Sequence, residues 1–427
     1  MSEEQSQRPL ANPGFLALSV TQFFGAANDY LLKTMIVSAV AAGGIWEKWA
    51  GGGGEVYPNY SLVVPFIIFC VIAGQVADRN SKRTVAIRVK QAEVCLALVA
   101  FFGFWFGSVW ICLIAMMMLG IQSAFFNPAK YGLIPELVQT NQLSRANGVI
   151  NLLTNLAAIV ATVIGGKILY MNYVGDGKTQ PEGMLWLPGA AMMLVAVLGL
   201  ITSYRIPKLP AANPAGPMRY DPFIPLYSTL KEMKNGGTPI LTVVCLWSSF
   251  YLIAYTVMLI LPNYTKVLNI NPGQVAVHLL GPLGISIGVG SALAGWISGD
   301  RIQPRLVPIG AIGLTIAFFL MGFAPPKLIL VTGGIVIIGL FAGLYIVPLQ
   351  ALIQKLAPDE SRGRMLGAAG VLVAFFEVVG IGVFQVSRQV FDIPPQRIFI
   401  VAGGIALIAT LIFYWKVRSE INRPEWR

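Results

Sequence analysis

A chain of 427 residues that is 56% hydrophobic and only 11% charged cannot cover a water-facing surface, because soluble domains carry about a quarter charged residues. Its mean hydropathy of +0.70 places most of that surface against lipid. The net charge of +11 does not mark a nucleic-acid partner, since the basic residues sit in small groups at the ends of apolar runs, with no basic domain interleaved with aromatics.

Taking about 20 residues per crossing, the apolar runs in chain order are 15–41, 61–78, 84–106, 109–127, 147–171 and 184–204, then 238–261, 274–298, 304–324, 328–350, 366–390 and 397–416. The polar N-terminus and the long first run argue for a retained first helix rather than a cleaved leader. The loop at 43–60, with Trp46, Trp49 and the glycines at 51–54, reads as an interfacial loop. The connection at 205–237, rich in Pro, Lys and Arg, divides the chain into halves at 1–204 and 238–427. The expected fold is an all-α polytopic membrane protein with twelve transmembrane helices as two six-helix bundles.

Charge asymmetry orients this layout. With the N-terminus inside, the inward connections hold Arg79, Lys82, Arg83, Lys130, Arg145, Arg205, Lys231, Arg301, Lys355, Arg362 and Arg364, and the tail adds Lys416, Arg418, Arg423 and Arg427. The outward side carries little beyond Lys48, Lys178, Lys266, Lys327, Arg388 and Arg397. Both termini are therefore expected in the cytoplasm. The cysteines Cys70, Cys95, Cys112 and Cys245 lie inside apolar runs without CxxC spacing, so they read as buried small hydrophobes rather than metal ligands or a disulfide framework. No Walker or HExxH pattern is present, and the one GxSxG spacing, at 284–288, falls inside an apolar run, so neither direct ATP driving nor hydrolysis is expected, and no cofactor is called for.

Two internal echoes point to duplication. The turn GQVADRNSKR at 74–83 returns in weaker form as GWISGDR at 295–301. After the fourth run, Pro135 and Glu136 lead to Arg145, Ala146, Asn147 and Gly148; after the tenth, Pro358 and Asp359 lead to Arg362, Arg364 and Gly367.

Charged and polar residues inside the runs are the candidate working parts, because such groups are costly in lipid. Asn28, Asp29 and Lys33 lie in the first run, with Asp29 and Lys33 four apart on one helical face. They read as a headgroup contact or gating pair, or else as a structural pair that fixes packing. Glu93 lies in the third run and calls for a basic partner on a neighbouring helix, while Arg88 and Lys90 are expected to snorkel to the headgroups. Glu377 is a lone acid in the second half, open between substrate pathway and structural hydrogen bonding. His278 is expected to make a local polar contact. Asn147, Asn151 and Asn155 recur at i, i+4, i+8 and should face a cavity or another helix. Gly74 permits close helix approach. Asp78 can take the positive end of a neighbouring helix or pair with an arginine, which would close the inward side. Arg79, Lys82, Arg83, Asp300 and Arg301 belong to the same turn motif and its echo. Pro128 is expected to interrupt the fourth helix, and Lys130 reads either as a phosphate site or, with Glu136, as a gate beside Arg145.

The turn at 74–83 and its echo resemble the inward-loop motif of the major facilitator superfamily. The stretches QFFGAANDYLLK at 22–33 and AFFNPAKYGLIPELVQTNQLSRANG at 124–148 are similar to the lysophospholipid transporter branch, mainly over the first 150 residues. The second half matches that branch chiefly in architecture. Many relatives follow the first-helix Asp with Asn, whereas Tyr30 follows Asp29 here. The resemblance implies the major facilitator fold and a monomer. It also implies lysophospholipids as substrate, moved from the outer to the inner leaflet of the bacterial inner membrane, with an acyltransferase as partner. A proton-coupled exporter of small amphiphiles and a non-transporting scaffold for an acyltransferase are the rival expectations.

Overall fold

The computed structural model describes residues 9–40, 46, 56–173, 184–216, 218–236, 238–270 and 275–417. Trp49, Lys48, Lys178, the glycines at 51–54 and the tail residues Arg418, Arg423 and Arg427 lie outside them. Helices α1 (Pro13–Val40), α2 (Val56–Arg79), α3 (Lys82–Trp105), α4 (Val109–Leu137), α5 (Leu143–Tyr173) and α6 (Leu187–Ser203) are followed by α7 (Phe223–Asn235). Then come α8 (Ile240–Ile260), α9 (Gly281–Ser298), α10 (Leu306–Phe323), α11 (Leu328–Leu356), α12 (Arg362–Gln389) and α13 (Pro395–Val417). Among the described residues, nine helices are long and apolar enough to cross a membrane, and the apolar α6 is shorter. The chain is thus an all-α polytopic membrane protein.

Packing follows the echoes. Within the first half, α1 lies on α5 and α6, α2 on α4, and α3 on α4 and α6. Within the second, α9 lies on α11, α10 on α11 and α13, and α8 on α12. The halves meet chiefly through α2 against α12 and α5 against α9.

One sequence expectation fails at a proline. Helix α4 runs through Pro128 and Pro135 to Leu137, so Pro128 does not interrupt it and Glu136 is helical. Helix α11 likewise continues through Pro348 to Leu356. Each proline removes a backbone donor, but membrane helices tolerate that where neighbouring helices support the chain. The connection after α6 contains a helix, α7, which neither apolar run length nor charge announced. Trp46 is buried, stacked on Phe104 with its Nε1 donating to the Gly107 carbonyl at 3.1 Å. Cys70 and Cys112 are buried as expected, but Cys95 and Cys245 are exposed on the helix surfaces.

Candidate functional site: a cavity closed at one end

Asp78 ends α2 against the first turn of α12. Its Oδ1 accepts the Gly363 N–H at 2.6 Å and its Oδ2 the Arg364 N–H at 2.9 Å, with Arg364 Nε at 3.8 Å. First-turn N–H groups lack intrahelical partners and carry partial positive charge, so a buried carboxylate is stabilising there. Gly74 makes the approach possible, because a Cβ at that position would lie 3.0 Å from Arg364 Cα and closer still to the Gly363 carbonyl.

The echo meets the other half in the opposite direction, through a side-chain pair instead of backbone N–H groups. Gly299 turns the chain with φ +55° after α9, a conformation that favours glycine, and Asp300 Oδ1 accepts from Arg145 Nη1 at 3.2 Å. Arg145 lies in the first turn of α5. Each echo therefore sits on the opening turn of a helix from the other half.

An amide ladder continues the closure between α5 and α11. Asn147 and Gln354 exchange hydrogen bonds at 2.7 and 3.1 Å, and Asn151 Nδ2 donates to Gln350 Oε1 at 2.8 Å. Gln350 Nε2 in turn donates to the Tyr131 hydroxyl at 3.2 Å. Asn155, one turn on, donates to the Asn151 carbonyl and lines the cavity. The i, i+4 asparagines were legible in the sequence. Their partners Gln350 and Gln354 were not singled out, although the same four-residue spacing in an apolar helix was the available signal.

The other members of the turn motif hold the first half together. Lys82 is fully buried and pairs with Glu136, which removes Glu136 from the gate with Lys130. Arg83 donates to the Ile206 and Tyr204 carbonyls at 2.6 and 3.2 Å. Arg79 and Arg301 are exposed.

Behind the cavity wall lies a buried network. Glu93 accepts from Asn28 Nδ2 at 3.2 Å and Gln122 Nε2 at 3.0 Å, and pairs with Lys90 Nζ at 2.5 Å. Lys90 is 1% exposed, with its Nζ 5.0 Å from the Phe126 ring centroid, so it does not snorkel. Ser123 donates to Asp29 Oδ2 at 3.0 Å. Asn28, Asp29 and Glu93 thus join α1, α3 and α4 and are not among the cavity-lining residues. Arg88 is exposed. Just before α9 the Thr332 hydroxyl donates to the His278 backbone carbonyl at 3.1 Å, a contact that does not involve the imidazole.

The cavity itself holds about 750 Å³. Asn127, Lys130, Tyr131 and Asn151 lie toward the closed end, whereas Val37, Asn59, Met258 and Gln389 come from the opposite helix ends. Trp247, Tyr251 and Tyr255 of α8 form an aromatic wall. Lys33 from α1 and Glu377 from α12 place opposite charges on the lining from opposite halves. Lys130 also faces this space, with its Nζ 4.3 Å from the Tyr131 ring centroid. A mostly apolar chamber with a few ionisable groups suits an amphiphile, and no metal-holding cluster of His, Cys, Asp or Glu occurs among the described residues.

The family model described as Major Facilitator Superfamily matches residues 23–381. The chain belongs to that superfamily. It is 25% identical over 389 residues to the lysophospholipid transporter LplT of Yersinia enterocolitica, covering 86% of this chain and 84% of that one. It is 24% identical over 442 residues to the LplT of Klebsiella pneumoniae strain 342, covering 98% and 100%. Among solved structures, the human organic anion transporter MFSD10 (TETRAN) superposes with a TM-score of 0.73 at 16% identity, covering 94% of this chain and 100% of that one. FucP in its outward conformation superposes at 0.71 and 14%, covering 93% and 97%. The chain is therefore a transporter of this fold, related to proteins named LplT, as the motifs at 22–33, 74–83 and 124–148 led us to expect.

Proposed function

We propose that the protein carries lysophospholipids from the outer to the inner leaflet of a bacterial inner membrane by alternating access. The observation that carries this reading is the amphiphilic cavity sealed at one end by contacts between the two halves. In this reading α1–α6 and α8–α13 all span, as bundles 1–204 and 238–427 joined by 205–237, and both termini are cytoplasmic. The Asp78 end then faces the cytoplasm and the cavity opens outward. A lysolipid phosphate is drawn to Lys33 or Lys130, an ethanolamine ammonium to Glu377, and the acyl chain to apolar walls such as Phe66, Ile159 and Phe384. Asp29, held by Ser123, sets the position of α1 beside that site. Asn151 and Asn155 lie between cavity and closure, where they sense both. The working unit is a monomer, and an acyltransferase consuming the delivered lipid is its partner.

The test uses purified protein in liposomes with labelled lysophosphatidylethanolamine placed in one leaflet and scored by leaflet-selective extraction. Transbilayer movement well above that of empty vesicles, slowed at least about tenfold by Glu377→Gln, is expected; such a factor is about 1.4 kcal/mol. Movement no faster than in empty vesicles, with the protein folded, would overturn the lipid reading. Proton-driven export of small amphiphiles by the same preparation would replace it.

A further inference from the structure

We infer that α7 is an interfacial helix whose exposed face rests on the anionic lipid leaflet at the closed end. Tyr220, Phe223, Ile224 and Tyr227 are 57 to 79% exposed, four large apolar or aromatic side chains within eight residues. On a helical projection Phe223, Ile224 and Tyr227 share one arc with the exposed Lys231 and Lys234. The opposite arc, Pro225, Thr229 and Met233, is buried against the bundle. An aromatic edge followed by lysines on the same face is the pattern of a helix lying in the headgroup layer, with rings at the acyl boundary and ammonium groups among phosphates.

Depth decides between lipid and water as the occupant. Leu226 packs against the cluster of Cys70, Val71, Ala124 and Val371. Cys70 lies nine residues before the end of α2, roughly 13 Å along its axis. Gln75, one turn from that end, exchanges hydrogen bonds with the Arg219 backbone at 2.7 and 3.1 Å. The segment is therefore drawn up alongside α2 and α12, within the length of α2 that is apolar enough to span, instead of hanging below it. Ile68, two residues before Cys70 on that same apolar helix, is itself 44% exposed.

Charge selects the kind of lipid. Asp221 is engaged as the cap of α7, accepting from the Phe223 and Ile224 N–H groups at 3.2 and 2.9 Å, and Glu232 is turned toward Arg364 at 3.8 Å. Arg219, Lys231 and Lys234 remain on the exposed side, each favouring an anionic surface. Because Arg364 also faces Asp78, the leaflet that holds α7 holds a neighbour of the closure.

The test places a spin label at Tyr227→Cys, and separately at Tyr220→Cys, in the full chain with its four native cysteines replaced. Ile68→Cys serves as lipid reference and Asp359→Cys, whose native side chain is 82% exposed, as aqueous reference. Vesicles of phosphatidylcholine alone are compared with vesicles containing about 30% phosphatidylglycerol. Oxygen-rich, nickel-poor accessibility like that at residue 68, deeper with phosphatidylglycerol and reversed by Lys231→Gln with Lys234→Gln, is expected. Nickel accessibility like that at residue 359 in both vesicle types overturns the inference and points to a soluble protein partner or bulk water. A lipid-like signal indifferent to phosphatidylglycerol and to the lysines overturns the anionic half of it.

Discussion

Asp78 and Lys90 are both buried charges, and they were unequally legible. Asp78 stood out because an acid contributes little to topology, so its presence in a basic turn called for a mechanical role, and the structure seats it on the α12 N-terminus. Asp78→Asn keeps the shape but loses the charge and one acceptor. Charge-assisted hydrogen bonds are worth about 1.5–3 kcal/mol, so the closed end should open roughly ten- to hundredfold more often, read as a shift in spin-label distances across it. Lys90 was misread as snorkelling because its position along the run looks near the interface. The signal that would have corrected this was Glu93 at i+3, which it meets at 2.5 Å. Glu93→Gln strands the Lys90 ammonium and should destabilise the fold by about 3–5 kcal/mol, whereas Lys90→Met with Glu93→Gln removes both charges, keeps an amide oxygen for the Asn28 and Gln122 donors, and should recover most of that loss. Thermal unfolding in detergent separates the two; equal losses would mean that the pair itself is stabilising.

At the scale of elements, hydrophobic run length located every long helix but misjudged where α4 and α11 end. The apolar runs stop at 127 and 350, yet in both helices further turns continue, supported by neighbours across the closed end. The pattern of α5 was legible because three asparagines at four-residue spacing have no cheap place in lipid. Which helix answered them was not, since pairing between distant runs leaves no mark in either run alone. Their ladder to α11 yields a prediction. Asn151→Ala leaves Gln350 Oε1 without its donor and should weaken the closed state by about 1–3 kcal/mol. Asn151→Leu with Gln350→Leu removes both amides and should recover much of that loss. A double-mutant cycle on the open–closed equilibrium measures the coupling, and strict additivity would show that the amides do not act as a pair.

For the whole molecule, the two echoes carried the architecture in outline: each predicts a contact of the same kind, and the structure supplies α2 on α12 and α9 on α5. What a single sequence withholds is the state of the molecule, because an open and a closed end use the same residues in different company. Alternating access requires the contacts at the closed end to part in every cycle, so a reversible tether across them is the most direct trial. Arg145 and Asp300 bridge the halves at 3.2 Å, with side chains 37% and 73% exposed, so a thiol reagent can reach both positions. With the native cysteines removed, Arg145→Cys and Asp300→Cys joined by a short bifunctional thiosulfonate should stop lysolipid movement, and reductant should restore it. The two single variants treated alike should keep moving lipid, because an exposed ion pair contributes at most about 1 kcal/mol. Undiminished movement in the tethered protein would mean that the halves need not separate there, and a fixed lipid path along the surface would replace the rocking of one half against the other.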